Sequence, residues 1–158
     1  MPQKRCTQLS ISKGERILLD TGFFVALHNT ADRNRDAATE IFDCLKELDA
    51  RLYTSDYVLD EAVTVAYRRT LRQDIAIDVG HQVMGSKYVT VLYSDKGLVN
   101  DAFARYKRYS DKALSFTDCL LISLAQREKM SYIVTFDNDF DMVRDGPVAV
   151  RNADVLVG

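Results

Sequence analysis

From Arg16 onward, short apolar runs alternate with longer stretches whose apolar residues recur every three or four positions. Ile17, Leu18 and Leu19 form a run that ends at Asp20, and Thr21-Gly22 breaks it before Phe23 to Leu27. This predicts a buried strand and then a short helix. Between Asp32 and Ala50 the apolar residues Ala38, Ile41, Phe42, Leu45 and Leu48 make one helical stripe, with charges on the other face. Arg51 to Thr54 predicts a second strand, and Ser55-Asp56 a cap for a helix through about Arg69. A further helix is expected over Gln73 to Met84. Tyr88, Val89, Val91, Leu92 and Tyr93 are β-branched or large side chains and predict a third strand. Ser94-Asp95 caps a helix to about Tyr109. The next helix, from near Thr117, is apolar almost all round at Cys119 to Ile122, Leu124 and Ala125, so it is expected to be buried on most sides. Tyr132 to Thr135 predicts a strand, Asp137-Asn138-Asp139 a turn, and Val148 to Val150 a last strand after Gly146-Pro147. Strands separated by helices, without tight hairpins, predict an α/β fold on a parallel sheet.

Composition narrows the class. The chain has 158 residues, 47% of them hydrophobic, with a net charge of −2. A single domain of this size buries roughly 70% of its extended surface and needs neither disulfide nor structural metal to hold a core. Residues 1–15 lack a sustained period and are expected to form an N-terminal arm, leaving 16–158 as one domain. No apolar run approaches the roughly 20 residues of a membrane span, and no secretory signal core is visible. Cys6, Cys44 and Cys119 are odd in number and far apart, which fits a reducing cytoplasm better than a disulfide framework or a zinc site.

The acidic residues carry the chemistry. Ligands of a parallel sheet bind beyond the carboxyl ends of its strands. Asp20 ends the first strand, Asp137 follows the Tyr132 strand, and Asp118 opens the buried helix that leads into that strand. Glu61 shares a helix face with Tyr57 and Val65. Each has an ordinary local role as well: Asp20 as a helix cap, Asp118 in a capping box from Ser115, Asp137 in an Asx turn, Glu61 as a solvated charge. Capping alone does not predict acids at the carboxyl edge of several strands. Two carboxylates about 4 Å apart repel by roughly 4 kcal/mol at an effective dielectric of 20, which protons or a divalent cation must offset. All-oxygen ligands without Cys or His favour Mg²⁺ or Mn²⁺ over zinc. Other chemistries fail on the letters. Gly22 stands where an aspartyl-phosphate phosphatase needs a second Asp. The phosphate-loop and dinucleotide turns are absent, and His28 and His81, the two imidazoles, belong to no hydrolase triad.

Four blocks together resemble the PIN-domain family: Ile17-Leu-Leu-Asp20-Thr21 with Phe23 to Leu27, Tyr57 to Thr64 around Glu61, Thr117-Asp118 with Ala125, and Ile133-Val-Thr-Phe-Asp137-Asn-Asp-Phe140. The resemblance spans about Arg16 to Val150. It implies a three-layer α/β/α sandwich with a central, mainly parallel sheet, and a metal-dependent nuclease, most often a ribonuclease. The implied catalytic and metal-binding set is Asp20, Glu61, Asp118 and Asp137, with Asp139 as the alternative fourth acid and Thr21 or Thr117 as hydroxyl helpers. One or two Mg²⁺ or Mn²⁺ ions would bridge the acids and the scissile phosphate and orient a water, leaving a 5′-phosphate on the product. Small prokaryotic members are often toxins of VapBC-type toxin–antitoxin pairs, which implies an antitoxin protein and a homodimer as partners. Two departures stand out: some fifteen residues precede the first strand, and Lys129-Met130-Ser131 occupies a place where a Gly is common in the family. The rival readings are a noncatalytic RNA-binding module and a structure-specific DNA nuclease. For holding RNA, the sequence offers Arg68, Arg69 and Arg72, and the run Arg105-Tyr106-Lys107-Arg108-Tyr109. Phe23 and Phe24 are read as core in preference to a dimer face.

Overall fold

The computed structural model describes residues 11–143 and 145–150. The expected arm therefore lies outside the described residues except for its last five, of which Ile11 is buried in the core. The elements follow the predicted order: β1 (Arg16–Leu19), α1 (Thr21–His28), α2 (Arg35–Glu47), β2 (Arg51–Ser55), α3 (Asp56–Thr70), α4 (Gln73–Gly85), β3 (Val89–Leu92), α5 (Lys96–Arg108), α6 (Phe116–Arg127), β4 (Tyr132–Val134), a 3₁₀ turn (Asn138–Met142) and β5 (Val148–Val150).

The sheet order is β3-β2-β1-β4-β5 and every pairing is parallel. A parallel sheet is covered on both faces, which is why β1 reads as a continuous apolar run in place of an alternation. Ile17, Leu18 and Leu19 are all fully buried. From β1 the chain moves outward through β2 to β3, then returns across the sheet to β4 on the other side of β1. Right-handed crossovers place α1 to α4 on one face and α5 and α6 on the other, giving the three layers. The reversal makes the β1/β4 boundary the topological switch point, where a crevice opens beyond the strand ends.

On the first face Phe23 packs edge-on against Phe24 and Phe42, at 5.5 and 5.9 Å between ring centroids, so the two phenylalanines of α1 are core residues. On the second, residues Asp118 to Ala125 of α6 are all buried, as its all-round apolar pattern predicts. Among the described residues no helix is long and apolar enough to cross a membrane.

Lys129 accounts for one departure from the family pattern. Its φ of 55° is left-handed, and it closes α6 in a Schellman arrangement: Lys129 donates its N–H to Gln126 O at 3.3 Å and Met130 donates to Ala125 O at 2.8 Å. A side chain there is strained, whereas glycine is not. Lys129→Gly is expected to stabilise the protein by about 0.5–1 kcal/mol, which for a domain of this size is a rise in melting temperature of roughly 2–4 °C per kcal/mol. A fall measured by thermal unfolding would mean that the αL strain is compensated elsewhere.

Candidate active site

Each acid is placed by the local structure of the element that carries it. Asp20 donates its own N–H to Val134 O at 3.0 Å, continuing the β1/β4 ladder by one residue past the strand. Its carboxylate then caps α1, accepting the Thr21 N–H at 2.7 Å through one oxygen and the Thr135 hydroxyl at 2.8 Å through the other. The same Thr135 hydroxyl accepts the Asp137 N–H at 3.1 Å, and Asp137 in turn accepts the Asp139 N–H at 2.9 Å, forming an Asx turn. One buried hydroxyl thus fixes the ends of two adjacent strands and the acids they carry. In α6, Ser115 and Asp118 form a complete capping box: Asp118 donates its N–H to Ser115 Oγ at 3.0 Å and accepts the Ser115 N–H through Oδ2 at 2.9 Å. Glu61 is half-buried on α3, while its neighbour Asp60 is exposed.

The local capping roles are therefore all realised, and the same side chains converge. Asp20, Glu61, Asp118 and Asp137 line a single pocket of about 550 Å³, together with Asp139, Thr21, Val65, Ser115, Asp32, Arg33 and Arg69. Carboxylate oxygens of Asp118, Asp137 and Asp139 lie within 4.8 Å of one another, so the structure brings both candidates for the fourth acid to Asp118 without choosing between them. A capping hydrogen bond uses part of a carboxylate's roughly four lone-pair sites and leaves the rest for a ligand.

Electrostatics report the crowding. Burial first, and then the charge of Asp118, push the Asp20 carboxyl up to about 7, against the lowering effect of its hydrogen bonds from Thr135 and Thr21. Asp118 is pushed up to about 6, again chiefly by burial, with Asp137 and Glu61 adding to it and the Ser115 hydrogen bonds opposing. Asp139 is also raised, by desolvation and then by the charge of Asp137. Such shifts mark a site that repels its own charge unless a cation neutralises it.

An all-carboxylate donor set fits a hard divalent ion. An independent observation agrees: Thr21 Oγ1, which lines the pocket, is buried with no hydrogen-bond partner among the described residues. A buried hydroxyl of this kind is ordinarily satisfied by an ordered water or a ligand. Of the two expected helper hydroxyls, Thr21 lies in the pocket and Thr117 does not. His28 also lies outside it.

Thr135 escaped the sequence reading, because a Thr after an Ile-Val run looks like an ordinary strand former. Thr135→Val keeps the shape and removes the hydroxyl, leaving an Asp20 oxygen without its donor. We expect it to cost about 1–3 kcal/mol, read as a shift in denaturation midpoint, with Asp20 pushed still higher. No loss of stability would show the bridge to be incidental.

The basic run on α5 behaves differently from expectation. Arg105 turns inward, donating to Ser123 at 3.2 Å, Gln126 at 2.6 Å and Asp145 at 3.3 Å. Tyr109 also donates to Asp145. Only Tyr106 and Lys107 of that run remain exposed and clear of this network. Arg72 pairs with Asp74, Arg68 lines a shallow groove with Tyr67 and Ala76, and Arg69 alone of its group reaches the acidic pocket.

Comparison with known proteins gives a consistent picture. Residues 17–146 match the model of the PIN domain. Searched against curated proteins, the chain finds no match. Among solved structures it is similar to the VapC20 toxin of Mycobacterium tuberculosis, described as cleaving the sarcin–ricin loop, with a TM-score of 0.71 and 24% identity over 80% of this chain and 93% of that one. It is similar to VapBC2 of Rickettsia felis, solved with a DNA fragment from its promoter (0.64, 14%, over 85% and 97%). FitAcB of Neisseria gonorrhoeae is a third likeness (0.60, 15%, over 85% and 97%). At these identities the likenesses establish the fold.

Proposed function

Because the chain belongs to the PIN-domain family, we propose that it is a divalent-metal-dependent endoribonuclease whose catalytic and metal-binding residues are Asp20, Glu61, Asp118 and Asp137. The observation that carries this reading is the meeting, in one pocket, of carboxylates from β1, α3, α6 and the β4 loop beside a buried hydroxyl that has no partner among the described residues. The residues would hold Mg²⁺ or Mn²⁺, with Asp139 sharing the place of Asp137. Such an ion would lower the pKa of a bound water and supply a Lewis-acid grip on the scissile phosphate.

The protein's own part is positional. Asp20, pinned by Thr21 and Thr135, and Asp118, pinned by its capping box, present fixed oxygens on two walls of the pocket. Preset oxygens need no reorganisation when substrate arrives. Glu61 and Asp137, less buried, face the open side and can orient a water or complete the coordination. The substrate we assign is single-stranded or structured RNA, with single-stranded RNA preferred to DNA. The likenesses to VapC20, VapBC2 and FitAcB support a toxin role, acting in the cytoplasm as a homodimer restrained by an antitoxin protein. In domain terms, residues 16–158 form the nuclease and residues 1–15 an arm.

The test is incubation of the purified protein with single-stranded RNA and DNA in Mg²⁺, in Mn²⁺ and in EDTA. RNA cleavage in either metal and none in EDTA is expected. DNA cleavage alone would favour the structure-specific nuclease, and binding without cleavage in every metal would favour the noncatalytic module.

A further inference from the structure

We propose that Arg33 and Arg69 form a separate phosphate-binding subsite, which holds a backbone phosphate of the RNA one or two nucleotides away from the bond that is cut. The proposal rests on the nuclease reading for the position of the scissile phosphate. Its own support is the distribution of charge around the pocket. Acids line it from β1, α3, α6 and the β4 loop, and its lining cations are Arg33, from the connection between α1 and α2, and Arg69, from the last turn of α3.

Glu61, Val65 and Arg69 stand four residues apart on α3 and all line the pocket. They form one stripe that runs about 12 Å along the helix axis, from the carboxylates to the guanidinium. A nucleic acid whose scissile phosphate sits among the acids must carry its neighbouring phosphates past that stripe. On the acidic side they are repelled; at the Arg33 and Arg69 end they meet compensating charge.

Arg69 is positioned for the role. Asp32, whose side chain is only 8% exposed, accepts from Arg69 Nη1 at 3.4 Å through one oxygen and from the Asn34 N–H at 2.8 Å through the other. The contact occupies one of the five N–H donors of a guanidinium that is itself 58% exposed. The remaining donors are available for an incoming phosphate, for which a planar fork is well suited. Asp32 is thus a positioning residue, which fixes both the loop bearing Arg33 and the tip of Arg69.

The experiment measures binding of a fluorescent single-stranded RNA across a salt series, with Ca²⁺ replacing Mg²⁺. Each phosphate contact on a single strand contributes about 0.7 to the slope of log affinity against log salt. Arg33→Gln with Arg69→Gln should therefore make the slope shallower by roughly 0.7, the share of the one phosphate they hold, while Arg69→Lys, which keeps the charge, should lose little of it. Arg68→Gln, next door on the other side of α3, should leave the slope unchanged. A neutral methylphosphonate, moved one linkage at a time, should weaken wild-type binding at one or two linkages and have no further effect there in the double variant. Equal slopes for wild type and double variant overturn the subsite. Cleavage of the same RNA in Mg²⁺ is followed in parallel: a changed slope without cleavage counts against the nuclease reading alone, and cleavage with equal slopes counts against the subsite alone.

Discussion

Asp118→Asn is expected to lower RNA cleavage by about a hundredfold or more and, in the same protein, to raise the melting temperature measured in EDTA at pH 8. The two effects share one cause. Asp118 is buried and surrounded by Asp20, Glu61 and Asp137, and its carboxyl is pushed from 3.8 up to about 6. Holding it ionised at pH 8 costs the metal-free fold on the order of 3 kcal/mol. Asn removes that charge, and its amide oxygen can still accept the Ser115 N–H, so the capping box survives in part. Function suffers because an amide is a poor ligand for a hard cation, and the cluster loses one of its two buried carboxylates. Thermal unfolding with Mg²⁺ completes the test, since the ion should stabilise the wild type by more than the variant. Cleavage equal to that of the wild type would end the assignment of Asp118. An unchanged melting temperature in EDTA would show that the acids are not in conflict.

The second large effect is on pH dependence. An acid with a raised folded pKa penalises the fold when ionised. The penalty is absent below about pH 4, where folded and unfolded chains are both protonated, and grows as pH rises, because the unfolded chain ionises first. For Asp20 it is complete above about pH 7, the value to which burial and Asp118 push it. Asp118 and Asp139 act in the same sense. His28, whose pKa is lowered by burial, acts in the opposite sense, gaining stability as pH rises toward 6.5. Metal-free protein should therefore lose on the order of 4 kcal/mol of stability between pH 4 and 8 through Asp20 alone, and saturating Mg²⁺ should restore it increasingly as pH rises, because binding displaces the protons. Denaturation midpoints in EDTA that rise steadily from pH 5 to 8 would contradict the buried cluster.

The elements were readable wherever burial left a pattern. The run Ile17 to Leu19 predicts a two-sided strand, and the all-round apolar α6 predicts a helix buried on most sides. Asp20, Asp118 and Asp137 could be placed on one edge because strand ends and helix starts in a parallel sheet share it, whereas Glu61, the sixth residue of α3, joined them only through the family resemblance. What the sequence concealed depends on distant partners. The helix expected from Asp32 begins instead at Arg35, because Asp32 turns its carboxylate to Asn34 and to Arg69, 37 residues away. Arg105 sits in a run that looks solvated, yet Ser123, Gln126 and Asp145 supply enough acceptors to bury it. Thr135 gives no signal at all until β4 is set beside β1.

That pairing of β4 with β1 also sets a schedule for synthesis. The bond between Thr135 and Asp20 joins residues 115 positions apart, so the first half of the domain, emerging from the ribosome at about 5–20 residues per second, carries Asp20 and Glu61 with nothing to complete them. No translation product that stops before β4 can bring Thr135 and Asp137 to Asp20, so the four acids meet in one pocket only after β4 and its loop have been made.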